Sequence, residues 1–264
     1  MTGSTSDVVE ETVESNGRQY RVWRKGTGTS VTLFGGLGGY MKWTPFLEAL
    51  SQQCAVIVPS LPGFPGGGRT HVELDNPLDW ALEVRDLMNA VDAGPNLVGI
   101  SVGAAIAADS ASIWPHKIEK LVLVSPLGHF DVADPSADPW CVKPGRGQME
   151  LCCLDHDAWR AHQSPPEGAD ILEWEIMQIR ANEAAARLLW PTGDIGIIDR
   201  LRRILWKTLI LRGDQDLVLP EGYIGKFSAA IGGEVATDVI DDAGHMADLD
   251  QPTALAARIA QFLT

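Results

Sequence analysis

The sequence has no uninterrupted apolar stretch of bilayer-spanning length, and its start, MTGSTSDVVEETVESNG, lacks the basic region and apolar core of a secretion signal. The reading that follows is a cytoplasmic protein with no membrane partner. Basic residues are also scarce: 21 Lys and Arg stand against 35 Asp and Glu, a formal net charge of −14. A field of that sign repels phosphate backbones and anionic lipid surfaces, so nucleic acid is not an expected partner either. Of the four cysteines, Cys54, Cys141, Cys152 and Cys153, none forms a CxxC pair, and bridging adjacent residues is strained. They read as reduced thiols. A redox or metal pair at Cys152 and Cys153 is the alternative to simple packing, and packing is preferred. His71, His116, His129, His156 and His162 are scattered without metal-ligand spacing, so neither a metal nor an organic cofactor is expected. There is no internal repeat and no low-complexity tract.

What is present is enough apolar material, 45% of 264 residues, for one large core and a single α/β domain carrying an insertion. The most informative stretch is Asn96 to Ala108, NLVGISVGAAIAA: a short apolar run, a serine between glycines, then small residues of helical character. Gly99-Ile100-Ser101-Val102-Gly103 fits G-x-S-x-G, the sharp strand-to-helix turn that lifts a nucleophilic serine above a sheet edge. Five residues alone are equally compatible with an ordinary glycine-rich turn. The surroundings decide.

Val8 to Glu14 and Gln19 to Lys25 alternate and flank Asn16-Gly17, the signature of a hairpin. Val31 to Phe34 is a buried strand running into Gly35-Gly36-Leu37-Gly38-Gly39. No Gly-Lys-Ser/Thr follows and the spacing is not G-x-G-x-x-G, so an oxyanion loop is favoured over a phosphate cradle, with the N–H groups of Leu37 and Val102 as donors. Ala55 to Pro59 is the next strand. Pro77 to Val91 reads as a helix whose inner face carries Leu78, Ala81, Leu82, Val84, Leu87 and Met88. Leu121 to Val124 is a further buried strand. From Gly128 to about Arg203 the strand rhythm stops; this stretch holds Trp140, Trp159, Trp174 and Trp190 and a helical segment from Ala169 to Leu189. It reads as a helical cap whose aromatics mostly pack it down while some line a dry pocket. Strands resume at Lys207 to Arg212 and Val235 to Ile240, and a helix from Thr253 to Phe262 closes the chain. Asp216, in G-x-x-D-x-x-x-P, is the candidate acid, with Asp214 as competitor and alternative turn cap. His245, after the last strand, is the candidate base, and the chain order Ser, Asp, His suits an α/β-hydrolase.

With FGGLGG and Trp43, VPSLPGFPGGG, GISVGA, GDQDLVLP and DDAGHMADLDQP, the chain resembles the α/β-hydrolase fold superfamily over nearly its whole length, in particular the lid-bearing serine hydrolase and esterase branch related to meta-cleavage product hydrolases. The resemblance implies a mainly parallel eight-stranded sheet with helices on both faces, a core of residues 1–127 and 204–264, and an inserted cap of residues 128–203. It also implies Ser101, Asp216 and His245 as a catalytic triad and Leu37 and Val102 as oxyanion donors. Asp250 and Pro252 stand where such chains often have an acidic residue and a proline. The sequence departs from the pattern at Gly35, where many relatives have histidine, so the loop is expected to be held differently. It departs again at Ser60, where relatives often have aspartate, and at Met246, where carbon–carbon hydrolases often have tryptophan. The expectation is a serine hydrolase of small to medium, mainly apolar carboxylic esters. An acyltransferase or carbon–carbon hydrolase on the same triad, and a ligand receptor without turnover, are the alternatives. The partner is a small-molecule substrate; a homodimer is left open.

Overall fold

The computed structural model describes residues 7–114, 118–189 and 193–264, so Trp190 and His116 lie outside the described residues. Its centre is an eight-stranded sheet in the order β1-β2-β4-β3-β5-β6-β7-β8. The strands are β1 (Val9–Ser15), β2 (Arg18–Lys25), β3 (Ser30–Phe34), β4 (Ala55–Pro59), β5 (Asn96–Ile100), β6 (Lys120–Val124), β7 (Lys207–Gly213) and β8 (Val235–Ile240). β2 runs antiparallel to β1 and β4, and β4, β3 and β5 to β8 are mutually parallel. The hairpin forms where expected, with Asn16 and Gly17 both at positive φ, as a two-residue turn between twisted strands requires.

The alternation of side chains along the central strands divides the core into two layers. Leu33, Val98, Ile100, Val122, Val124, Leu209 and Leu211 face α1 (Pro45–Ser51) and α10 (Pro252–Leu263). On the other face Phe34, Leu97, Leu121, Leu123 and Ile210 meet α2 (Pro77–Ala90), α3 (Val102–Ile113) and α8 (Gly222–Ala230). Between β6 and β7 the described residues form α4 (Arg146–Cys152), α5 (His156–Gln163), α6 (Ile171–Leu189) and α7 (Ile198–Leu201), with no strand among them. A short α9 (Ala247–Asp250) precedes α10. Among the described residues no helix is long and apolar enough to cross a membrane.

The helix over 77–91 forms, but its phase differs from the expected one. Leu78 and Leu82 are exposed, whereas Trp80, Ala81, Glu83, Val84 and Leu87 are buried. Both faces have helical spacing, and β2 settles the choice. Its Tyr20 hydroxyl donates to Glu83 at 2.6 Å and Arg18 donates to the same carboxylate at 2.6 Å, so an acidic residue is satisfied on the inner face.

Candidate active site

β5 ends at Ile100, and Ser101 turns the chain directly into α3 with φ 53° and ψ −113°, a conformation sparsely populated by non-glycine residues. The turn is possible because the residues two positions away on each side have no side chains: a Cβ at Gly99 would strike the carbonyl of Gly103, and one at Gly103 would strike the carbonyls of Phe34 and Gly35. The Ser101 N–H is held by the Val124 carbonyl at 2.8 Å. Its Oγ lies 2.7 Å from His245 Nε2, in the loop after β8. His245 Nδ1 in turn lies 3.0 Å from Asp216 Oδ2 and 3.2 Å from Oδ1. Ser101 and His245 are fully buried, and Asp216 is 5% exposed. The structure therefore brings all three together in one unbroken chain of contacts.

Asp216 also accepts the N–H groups of Val218 (2.8 Å) and Leu219 (3.0 Å) on Oδ1 and the Ser125 hydroxyl (2.9 Å) on Oδ2. Burial pushes this carboxyl up; the His245 ring, the Leu219 N–H and the Ser125 hydroxyl outweigh it and hold the group below the ordinary aspartate value. Asp214 does other work. Its Oδ1 accepts the Ala243 N–H at 3.0 Å and its own N–H donates to Ile240 O, so it caps the turn that leads to His245.

The two N–H groups singled out in the sequence belong to the start of α3 and to the glycine loop after β3. Val102 is the first residue of α3, so its N–H has no acceptor within the helix. Leu37 is the second residue of a turn closed by Gly39 N–H to Gly36 O at 3.0 Å, with Gly38 at φ 78° in the third position, where a type II turn needs it. The absence of a histidine at Gly35 has a physical counterpart: a Cβ there would sit 2.9 Å from the Tyr40 ring, and one at Gly36 would sit 3.0 Å from Met246 Cε. The loop is held by other contacts. The Tyr40 hydroxyl donates to Asp248 Oδ2 at 3.0 Å, Arg21 donates to the Tyr40 carbonyl, and Lys42 Nζ donates to the carbonyls of Ala161 (2.5 Å) and Ser164 (3.0 Å) in the inserted segment.

A cavity of about 780 Å³ opens beside this loop, lined by Leu37, Met41, Met149, Trp159, Gln178 and Asn182 among others. Ser101, Asp216 and His245 are not on its wall; it touches the glycine loop at Leu37 and Gly38. The wall is mainly apolar, with Leu37, Met41, Met149, Trp159 and Ile179 on it, and the side-chain amides of Gln148, Gln163, Gln178 and Asn182 add polar groups; Trp174 is not on it but packs with Nε1 donating to Gln163 O at 2.7 Å.

The segment between β6 and β7 is also bolted to the His245 loop. Asp250 Oδ2 accepts the Gly244 N–H at 2.7 Å, while Oδ1 accepts the N–H groups of Leu154 (2.9 Å) and Asp155 (2.7 Å) and the Cys153 thiol (2.9 Å). The Met246 N–H adds a bond to Cys152 O at 2.8 Å. Burial, with the Asp216 charge behind it, pushes the Cys152 thiol up to about 12, and burial pushes Cys153 higher as well, so both behave as packed thiols. Among the described residues no group of His, Cys, Asp and Glu has the arrangement of a metal site.

A family model described as the alpha/beta hydrolase family matches residues 28–258. The chain belongs to that family. Among curated relatives, this hydrolase is 31% identical over 254 residues to a poly(3-hydroxyalkanoate) depolymerase of Ectopseudomonas oleovorans, covering 89% of this chain and 84% of the relative. It is 27% identical over 207 residues to a 2-hydroxy-6-oxo-2,4-heptadienoate hydrolase of Pseudomonas putida, covering 74% and 75%. Among solved structures, a serine hydrolase from the polyaromatic hydrocarbon-degrading bacterium Cycloclasticus zankles superposes with a TM-score of 0.76 at 17% identity, over 97% of this chain and 98% of that one.

Sequence reasoning missed the two groups that brace the hydrolase's site from behind, Ser125 and the Tyr40–Asp248 pair. A serine after a strand looks like any turn residue, and nothing in a sequence pairs residue 40 with residue 248. Complete burial raises the Asp248 carboxyl to about 6 although the Tyr40 hydroxyl pulls it down. Between the ordinary value of 3.8 and 6 the folded state keeps a proton that the unfolded chain gives up, so this group's stabilisation is complete below 3.8 and lost as pH rises through 6. Asp248→Asn removes that dependence. Its melting temperature relative to wild type should climb across this window, gaining about 3 kcal/mol at most, as read by thermal melts at a series of pH values.

Proposed function

We propose that the hydrolase cleaves neutral carboxylic esters of small to medium size through an acyl-enzyme on Ser101. The observation that carries this reading is the buried chain of contacts Ser101 Oγ to His245 Nε2 at 2.7 Å and His245 Nδ1 to Asp216 at 3.0 Å. His245 removes the Ser101 proton as Oγ attacks the ester carbonyl, and Asp216 fixes the imidazole tautomer and stabilises the imidazolium. The Leu37 and Val102 N–H groups receive the oxyanion. His245 then protonates the leaving alcohol, and water, activated by the same ring, releases the acid. Residues 128–203 act as the cap, and the cavity at Leu37 holds the rest of the substrate.

Carbon–carbon hydrolysis is the second reading because one relative's name includes a dienoate hydrolase. A dienoate carries a carboxylate, which needs a free cation once desolvated. The arginines lining the cavity are Arg146 and Arg160; both are largely exposed and pair with carboxylates, Glu150 at 2.7 Å and Asp157 at 2.5 Å, so neither stands as a desolvated cation inside it. Burial, and Lys42 nearby, lower His162 to about 4, so its ring is neutral. The chemistry of this wall favours an uncharged substrate, with the amides serving polar groups along its chain.

The test is a p-nitrophenyl ester series of increasing acyl length, run beside esters of the same length ending in a carboxylate. Neutral esters should be turned over repeatedly, and the terminal carboxylate should cost at least about tenfold in kcat/KM. Absence of turnover across the whole neutral series would overturn the reading, and preference for the charged esters would overturn its substrate class.

A further inference from the structure

Ser125 lies immediately after β6 at φ 45°, a left-handed conformation that costs a non-glycine residue free energy, and it is completely buried. Its N–H donates to Leu211 O at 2.8 Å, which fixes the backbone against β7. Its hydroxyl donates to Asp216 Oδ2 at 2.9 Å. The residue before it, Val124, gives its carbonyl to the Ser101 N–H, so the end of β6 touches both ends of the Ser101–His245–Asp216 chain.

We propose that Ser125 is a positioning residue for the reaction, one that acts through Asp216 and fixes the orientation of its carboxylate towards His245. The proposal rests on the triad reading above. Two amide N–H groups occupy Oδ1, and Ser125 is the donor that balances them on Oδ2. His245 Nδ1 stands nearly midway, 3.0 Å from Oδ2 and 3.2 Å from Oδ1. Without the hydroxyl the carboxylate has anchors on one oxygen only. It is then free to turn about its Cβ–Cγ bond, and the imidazole turns with it, away from Ser101 Oγ. The left-handed backbone belongs to the same device, because it swings the Ser125 side chain from the sheet surface towards Asp216.

Two substitutions separate the hydroxyl from the backbone. Ser125→Ala removes the hydroxyl and keeps the strain, while Ser125→Gly removes both and relieves the φ value, so the glycine variant folds even where the alanine variant is weakened. Hydrogen-bond partners behind metal-bound histidines are worth about 10- to 100-fold, and the same order is expected of this support. Both variants should lose kcat by a similar factor in that range with KM unchanged, and the rate at which a fluorophosphonate labels Ser101 should fall in parallel. The far-downfield proton resonance of the His245 Nδ1–H facing Asp216 should shift or broaden in both. Wild-type kcat and an unmoved resonance in Ser125→Gly would overturn the proposal, as would a loss confined to Ser125→Ala, which would assign the effect to backbone strain. Should the wild type turn over no ester, the ester reading fails on its own. The resonance in Ser125→Gly still decides the role of Ser125: moved, it upholds the coupling to Asp216; unmoved, it ends it.

Discussion

Ser101→Ala is expected to lower kcat on esters by a factor on the order of 10⁶ while leaving the fold intact, and Ser101→Gly to be equally inactive yet more stable than the alanine variant. The two halves of this prediction come from different links in the chain of causes. Activity falls because the residual catalysis of an oxyanion pair and a binding pocket has no nucleophile to act with, and His245 has no proton to take. Stability hardly changes because the lost hydroxyl makes a single bond, to His245 Nε2, and net hydrogen-bond contributions are about 1 kcal/mol. The glycine variant gains because φ 53° with ψ −113° is a sparsely populated conformation that costs a residue with a Cβ roughly 1–3 kcal/mol. Kinetics with the preferred ester and thermal melts of the three proteins check both. A Ser101→Ala protein retaining a tenth of wild-type kcat would remove Ser101 from the mechanism altogether.

The parts of this molecule that were legible in the sequence are those in which a local pattern has one physical solution. Gly99 and Gly103 around Ser101 are of this kind, since any Cβ there collides with backbone, and so is Asn16-Gly17 between alternating strands. Asp216 was separable from Asp214 because the motif register places one past the strand end and the other within the turn, and Asp214 is indeed the turn cap. The rest depended on partners distant in the chain. Which face of α2 turns inward was settled by Tyr20 and Arg18, some sixty residues earlier, reaching Glu83. How the glycine loop is held without a histidine at 35 was settled by Tyr40 and Asp248, and the tie between the inserted segment and the His245 loop by Asp250 reaching back to Cys153, Leu154 and Asp155. The polar groups on the cavity wall follow the same rule. The amides at 148, 163, 178 and 182 lie on or beside three different helices, and only the packing of those helices gathers them.

Asp216→Asn should lower kcat/KM by about 10⁴, whereas Asp214→Asn should stay within a few-fold of wild type. The asparagine at 216 preserves shape: its oxygen can keep the N–H groups of Val218 and Leu219, which leaves its NH2 where Oδ2 was, facing both His245 Nδ1 and the Ser125 hydroxyl. Two donors then confront each other at Nδ1 unless the imidazole moves its proton to Nε2, and in that tautomer the ring cannot accept the proton of Ser101. At 214 the asparagine oxygen still accepts the Ala243 N–H, so the turn under His245 survives. The pH dependence of stability is shared by the two positions. The folded Asp216 carboxyl lies below its ordinary value of 3.8, and so does that of Asp214, through the Ala243 N–H, so each contribution to stability is complete above 3.8 and is lost only as pH falls through the lower, folded value. Either variant should therefore lose part of the acid limb in melting profiles, and it is kcat/KM that separates the two assignments. If the damage fell on Asp214 instead, the motif register would be wrong by two residues, and the Ser125 bond to Asp216 would lose its catalytic meaning with it.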